Sequence, residues 1–456
     1  MPPTAHHELL TDAILDGSRK DDIPPERETP LGKALATVGD WLAAQQLTAD
    51  IHKYGIDTAP TYEVRLTDAD GTLCSRSSGK GLGHRSLASA LFESAEHYHL
   101  DWRRDHRADQ ARFLPAAAIA EQPTARSSAL LRRLAGIAPE APVLTRSYRP
   151  VAEALGVGAT GAGSHSAPPS GAPAPHHHPV FLRDGGYRNW PHPEDGGAFG
   201  PLWHYTSSAG YAAGATLQEA LLHAVNEAIE RDAWSCLLAD CYFGPPETRP
   251  TLPVVDPAGL PAELRELTAE VERACGGRLL IVSLTTDTRV PAYLVCDATA
   301  EEPVRLVGSG ASPDPAYALH RALLEYLQVR TMYRHGPVDA VRESEQIARA
   351  LTRWPRHLAA ARFDVRALPH RTVPFETADA LPATAAPEDL LRRLVQRLRA
   401  VAVEPYFRVL TEPGAVTVVD VVVCGLEMLD KARAGYPVLP TGRLDTKLRP
   451  VGKGPR

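Results

Sequence analysis

The stretch Thr216–Trp234, TLQEALLHAVNEAIERDAW, constrains the fold more than any other. Thr216 and Glu219 have the T-x-x-E spacing of a capping box, so a helix starts here. A small-residue turn, Ala209–Ala215, leads into it. At about 100° per residue, Leu217, Leu221, Ala224, Val225 and Ala228 fall on one side. Glu219, His223, Asn226 and Glu230 fall on the other, with Glu227 on its flank. One side needs a core to bury it. The other crowds carboxylates, which water tolerates. Facing another acidic stripe, they would repel unless cations sat between.

Two further stretches repeat this logic. In Ser77–Leu100 a helix begins at about Ser86; Ser89, Glu93 and Glu96 lie within roughly 60° of arc, with Leu87, Leu91 and Tyr98 opposite. In Pro315–Tyr333, Asp314 is a good cap and Pro315 a good first-turn residue. There Arg321, Glu325 and Gln328 share one face, and Leu319, Leu323, Tyr326 and Leu327 the other. Each helix follows a Gly-rich turn. Any one of them is an ordinary surface helix, because exposed Glu/Arg pairs contribute only about 0.2–1 kcal/mol. Together they point to one site holding Glu93, Glu96, Glu219, Glu227, Glu230 and Glu325. Such a cluster calls for divalent cations. Dense oxygen ligands suit Mg2+, which retains waters and shares substrate phosphates. Lys80, Arg231 and Arg321 would then meet phosphate oxygens. Gly79-Lys80-Gly81 alone is far short of a P-loop. His223 is the one candidate general base by position, weighed against a structural histidine.

The whole chain sets bounds. Its 456 residues, 44% hydrophobic and 23% charged, suit a soluble globular protein with one large core or two medium ones. A net charge of −6 gives no footprint for nucleic acid. No run of about 18 apolar residues predicts a membrane span. The start, MPPTAHHELLTDAIL, lacks the pattern of a signal peptide, so a cytoplasmic location is expected. Cys74, Cys236, Cys241, Cys275, Cys296 and Cys424 form no C-x-x-C and read as reduced thiols. Cys236 and Cys241 lack a second pair for a metal.

Residues 1–28 read as a flexible arm, 29–445 as one domain, and 446–456 as a flexible tail. Helices are expected at Thr29–Gln46 and Pro387–Val401, the latter a solvated flank. Ala116–Pro150 reads as one or two surface helices, and Arg349–His370 as a basic helix-rich region. Strands are expected at Thr61–Thr67, Arg278–Thr286, Ala292–Cys296 and Ala415–Val423. A Gly/Pro/Ala/Ser-rich insert at about 155–180 cannot build a core. The triple histidine His176–His178 inside it reads as low-complexity drift rather than a metal site.

These segments make the chain resemble the YcaO family, ATP-dependent enzymes that activate peptide amides. Ser89-Ala-Leu-Phe-Glu93-Ser-Ala-Glu96-His97 resembles its SxxxExxER signature. The stretches Gly210–Asp232 and Gly310–Gln328, the Gly79–Gly81 turn and the late Gly425-Leu-Glu427 also fit, in the right order. His97 stands where the family usually has Arg, and Ala215 where a polar residue often stands. The ending RPVGKGPR lacks the PxPxP of azoline-forming members. The resemblance implies an α/β (α+β) fold, with β-sheets packed on helices around a central Mg-ATP cleft. It implies ATP binding by Lys80, Ser89, Glu93, Glu96, Glu219, Glu227, Glu230, Arg231, Arg321, Glu325 and Gln328, with the six glutamates holding Mg2+.

The implied activity is cyclodehydratase-like: phosphorylation of a backbone amide oxygen in a ribosomally made precursor peptide, for a natural product. Azoline formation, which leads to thiazoles and oxazoles, and macrolactamidine formation are the first readings. Thioamide formation with a TfuA-type partner is the alternative, and a non-catalytic peptide-binding scaffold is the alternative of another class. Leader recognition would fall to a separate partner protein, and a homodimer is left open.

Overall fold

A computed structural model of the chain describes residues 13, 22–101, 111–156 and 175–444, apart from 196, 246, 248, 300, 376, 378, 379, 413 and 415. Helix α1 (Leu31–Ala44) precedes an antiparallel sheet of β1 (Thr48–Gly55), β2 (Pro60–Thr67) and β3 (Leu73–Gly79). Helix α2 (His84–Tyr98) follows at once. Then come β4 (Ala111–Pro115), β5 (Pro142–Pro150), β6 (His176–Pro179) and β7 (Tyr211–Gly214). The central helix α3 spans Leu217–Tyr242. Beyond it run β8 (Leu252–Val255), α4 (Ala262–Cys275), β9 (Leu279–Ser283), β10 (Ala292–Asp297), β11 (Gly308–Ala311) and α5 (Pro315–His335). Strand β12 (His370–Val373), helix α6 (Pro387–Ala400), and strands β13 (Pro405–Val409) and β14 (Thr417–Val423) complete the fold.

The strands make three sheets: β1-β2-β3, β11-β10-β9-β8-β12, and β4-β5-β13-β14-β7 with β6 joined to β5. The mixed helix-and-sheet class is the one the sequence led us to expect. Each acidic helix lies on the strand before it: α2 on β3, α3 on β7, α5 on β11. Glycine makes these contacts possible. A Cβ at Gly79 would lie 2.1 Å from the Ala90 nitrogen, and one at Gly308 2.1 Å from the Tyr326 nitrogen. Strand and helix therefore touch backbone to backbone, and no side chain spaces them apart.

Helix α3 has the expected cap, Thr216 Oγ1 accepting from the Glu219 N–H at 3.3 Å. Leu221, Leu222, Val225, Ile229 and Trp234 are fully buried along it. Burying each such side chain stabilises the fold by about 1.5–3 kcal/mol. Its front is buried as well: Glu219, Asn226 and Glu230 are almost inaccessible.

Four expectations need correction. Residues Pro142–Pro150 are not helical; they form β5, inside the largest sheet, after a short helix at Ala129–Ile137. Val143, Leu144, Thr145 and Arg146 are buried in succession, as in a strand covered on both faces, and this outweighs the helical spacing of the leucines before them. Helix α6 is not a solvated flank: Leu390, Leu391, Leu394 and Leu398 are fully buried and the helix packs on α3. The low-complexity insert ends sooner than expected, because His176–Pro179 is strand β6 with His176 buried. The expected arm is docked from residue 22 onward, and Glu26 is completely buried. Residues 157–174 of the insert and the tail 446–456 lie outside the described residues. Strands β1 and β3 had no signal beyond the Gly71 turn that precedes β3.

Candidate active site

The fronts of α2, α3 and α5 converge on one cleft of about 340 Å³. Its walls include Lys80, Ser89, Glu93, Glu96, Glu219, His223, Glu227, Glu230, Arg231, Arg321, Glu325 and Gln328. The eleven residues expected to bind ATP and Mg2+, and His223, all line it, drawn from three separate segments of the chain.

The cations pair unevenly. Lys80 Nζ donates to Glu325 Oε2 at 2.6 Å. Enclosure raises the Glu325 pKa, but Lys80 and Arg231 outweigh that, and the net shift is downward. Arg231 lies 3.6 Å from Glu227, whose other oxygen accepts from the Gly210 N–H at 3.1 Å. Arg321 lies 3.6 Å from Glu26, and Arg85 is bonded to Asp22.

Glu93, Glu96 and Glu230 are left with no lysine or arginine in contact among the described residues. Among the described residues Glu230 accepts the Ser309 hydroxyl alone, at 2.6 Å. Glu93 has His97 Nε2 at 4.0 Å. Removal from water raises all three carboxyls; Glu227 and Glu93 push Glu96 further, and Glu325 pushes Glu230. Three carboxylates that resist ionisation, lining one cleft, are the donor set a hard divalent cation satisfies.

Glu219 is different. Its Oε1 accepts the N–H groups of Glu28 and Thr29, both at 2.9 Å, and its Oε2 that of Ala215 at 3.1 Å. These bonds fasten the lead-in segment to the start of α3. His223 accepts from Arg321 at Nδ1, 3.2 Å away. Arginine only donates, so that lone pair is engaged. Burial and the nearby Arg321, Arg27 and Lys80 hold the imidazole neutral. His223 thus orients Arg321 and lacks a free Nδ1 to act as base. Gln328 donates from Nε2 to the Ser78 hydroxyl at 2.9 Å, and Ser89 Oγ lies 3.4 Å from the Lys80 nitrogen. At His97, Nδ1–H donates to the Arg76 carbonyl at 3.0 Å, which aims Nε2 at Glu93.

Sequence reasoning missed Glu26. Asn226 donates to both of its oxygens, at 3.1 and 3.2 Å, and the Ser312 hydroxyl donates at 2.5 Å. Glu26 therefore ties α3 to the start of α5 beneath Arg321. Its setting, IPPERETP, reads as solvated chain, and only the inward Asn226 was a hint. The Glu427 carboxylate has a similar task at the other end of the chain. It accepts the N–H groups of Thr441, Gly442 and Leu444, at 2.6–3.0 Å.

The fold and the acidic cleft fit a protein that holds ATP through Mg2+. The family model described as YcaO cyclodehydratase, ATP- and Mg2+-binding, matches residues 186–427, just over half of the chain. The chain belongs to the YcaO family. It is 32% identical over 240 residues to an uncharacterized protein of Methanothermobacter thermautotrophicus, covering 50% of this chain and 58% of that protein. It is 34% identical over 142 residues to an uncharacterized protein in the tfuA 3' region of Rhizobium leguminosarum bv. trifolii, covering 29% of this chain and 32% of that one. The chain thus spans little more than half of the first relative and a third of the second.

Among solved structures, YcaO from Methanopyrus kandleri, bound with AMPPCP and Mg2+, superposes with a TM-score of 0.56 at 20% identity. That match covers 90% of this chain and 96% of that one. A heterocyclase in complex with substrate and cofactor gives 0.58 at 19% identity, over 91% of this chain and 55% of that one. At these identities the likeness is one of fold. No helix among the described residues is long and apolar enough to cross a membrane.

Proposed function

We propose that the chain activates a peptide backbone amide by transferring the γ-phosphoryl group of ATP to the amide oxygen. The observation that carries this reading is the meeting of Glu93, Glu96 and Glu230, uncompensated by any contacting lysine or arginine, with Lys80, Arg231 and Arg321 in one cleft. Glu93, Glu96, Glu227, Glu230 and Glu325 would hold Mg2+, with Glu219 acting chiefly as a fastening. Bound there, Mg2+ would neutralise charge on the triphosphate.

A nucleophile adds to the amide carbon, and the former carbonyl oxygen gains negative charge. That oxygen attacks the γ-phosphorus, and ADP leaves. The C–O bond then breaks with loss of phosphate. Unphosphorylated, that oxygen would have to depart as a strongly basic oxide or hydroxide; as phosphate it leaves readily. Lys80, Arg231 and Arg321 position the phosphates and offset their charge. His223 holds Arg321 in place. The protein's task is alignment and electrostatics, as in other phosphoryl transfers.

A Cys, Ser or Thr side chain as nucleophile gives an azoline, and an N-terminal amine gives a macrolactamidine. External sulfide gives a thioamide. The relative from the tfuA 3' region favours the thioamide reading, with a TfuA-type partner supplying or guiding sulfide. The precursor peptide and a separate leader-binding protein complete the assembly, in the cytoplasm.

The test is isothermal titration of the protein with Mg2+ and a non-hydrolysable ATP analogue, then mass spectrometry of candidate peptides after incubation with Mg-ATP. Binding that is lost in Glu230→Gln supports the reading. Loss of one water from the peptide indicates an azoline or amidine; exchange of oxygen for sulfur indicates a thioamide. No nucleotide binding, with or without peptide, would mean a non-catalytic scaffold.

A further inference from the structure

Strand β6 carries a second cluster, remote from oxygen-ligand chemistry. His176 Nε2 lies 3.0 Å from His178 Nδ1 and 3.5 Å from Cys424 Sγ. All three donor atoms fall within 4.8 Å of one another. His176 and Cys424 are buried, and His178 is half-buried. The histidines come from β6, which the insert precedes, and Cys424 from the residue just past β14.

Hydrogen bonding alone leaves this arrangement unsatisfied. The other ring nitrogen of His176, Nδ1, is bonded to Thr124 Oγ1 at 2.9 Å. One nitrogen, Nε2, then faces two partners with a single proton or a single lone pair. If it accepts, the His178 N–H and the Cys424 S–H compete for it. If it donates, only one of them receives. A metal ion resolves the conflict by taking all three lone pairs.

The distances agree with that use. With Zn–N near 2.0–2.1 Å and Zn–S near 2.3 Å, tetrahedral geometry sets N···N at about 3.3 Å and N···S at about 3.5 Å. The observed spacings are 3.0 and 3.5 Å. Ligating histidines commonly donate their second N–H to a fixed partner, and Thr124 is placed to be that partner for His176. We propose that His176 Nε2, His178 Nδ1 and Cys424 Sγ form a zinc site.

Burial keeps both imidazoles neutral, with lone pairs available: His178 is pushed down to about 3, and His176 well below its usual value. Burial also pushes the Cys424 thiol up to about 12, so binding would release its proton to solvent as the metal charge stabilises the thiolate. Nitrogen and sulfur donors select a softer ion than Mg2+, which keeps the two sites chemically separate. His178 and Cys424 also line a cavity of about 90 Å³ whose wall includes Arg231, so a fourth ligand, water or a small anion, has room. The ion would join the strand after the insert to the strand that ends four residues before Glu427, and Arg231 lines both this cavity and the acidic cleft.

The test uses the full chain, stripped with EDTA and titrated with Co2+ in excess Mg2+, which occupies the carboxylates. One Co2+ per chain with four-coordinate visible bands and a thiolate charge-transfer band is expected, bleached by Zn2+. Cys424→Ser should abolish the charge-transfer band, and His178→Ala should weaken Co2+ binding by about 100-fold, read by competition with a chelator of known affinity. Thr124→Val should weaken it by about 10–100-fold. Circular dichroism checks folding, and the half-buried His178→Ala decides the matter should Cys424→Ser fail to fold. Absence of a thiolate band in the native chain, its survival in Cys424→Ser, or unchanged affinity in His178→Ala would overturn the proposal.

Discussion

Glu96→Gln separates a site built for cations from an acidic surface. Glu96 is held in the cleft wall with Glu93 and Glu227 as like-charged neighbours, and enclosure and those neighbours push its carboxyl well above the usual range. An acid whose folded pKa exceeds its unfolded pKa costs stability once the pH passes the unfolded value. At neutral pH the ligand-free Glu96→Gln protein should therefore unfold at the same temperature as the native chain or higher. Added Mg-ATP should have the opposite contrast. At a hundredfold excess over Kd, a ligand confined to the native state stabilises by about 2.7 kcal/mol. For domains of about 150–250 residues that corresponds to roughly 2–4 °C per kcal/mol, and less in a longer chain. A rise of a few degrees is expected for the native protein and almost none for the variant. The assay is a thermal melt with and without Mg-ATP, at fixed pH and salt. A variant that melts several degrees lower without ligand yet keeps the full ligand-induced rise would refute the reasoning, because Glu96 would then be a structural acid.

Other consequences follow from the same geometry. Glu93, Glu96 and Glu230 all have raised pKa values, so Mg2+ uptake should release protons and affinity should rise with pH; calorimetry in buffers of different ionisation enthalpy would detect this. Glu26→Ala strands the Arg321 guanidinium and the Asn226 amide in the interior, and should destabilise by about 3–5 kcal/mol in denaturant titrations, more than Glu26→Gln. Gly308→Ala drives a methyl group against the Tyr326 backbone, and should cost about 3 kcal/mol or prevent folding, read as loss of soluble protein. His223→Ala should lower turnover by loosening Arg321 without producing the pH-profile change expected on losing a general base.

Much of the site was legible because helices carry their own ruler. Once Leu221 and Val225 are assigned to a core, the direction of Glu219, Glu227 and Glu230 follows, and likewise for Glu93 with Leu91 and Glu325 with Leu323. What stayed hidden was set by contacts across long separations. Nothing near Glu26 announces that Asn226 and Ser312 await it. Strand β5 and the histidines of β6 were obscured for a related reason. Periodicity over a few residues is weak, and flanking alanine, glycine and proline suggest loose chain. Pairing of β5 with β4 and β13, and packing of His176 and His178 on Tyr148, override that local appearance. The division of work among the glutamates was equally invisible, since only the folded chain brings the Glu28 and Thr29 amides to Glu219.

The contact of bare backbone at Gly79 and Gly308 has a consequence for divergence. Where two elements rest on each other without intervening side chains, their spacing does not depend on which side chains line the rest of the interface. Leucine can give way to isoleucine or methionine elsewhere while the three acidic faces keep their distances. A chain can thus drift to one residue in five shared with a distant archaeal structure and still superpose on it over most of its length.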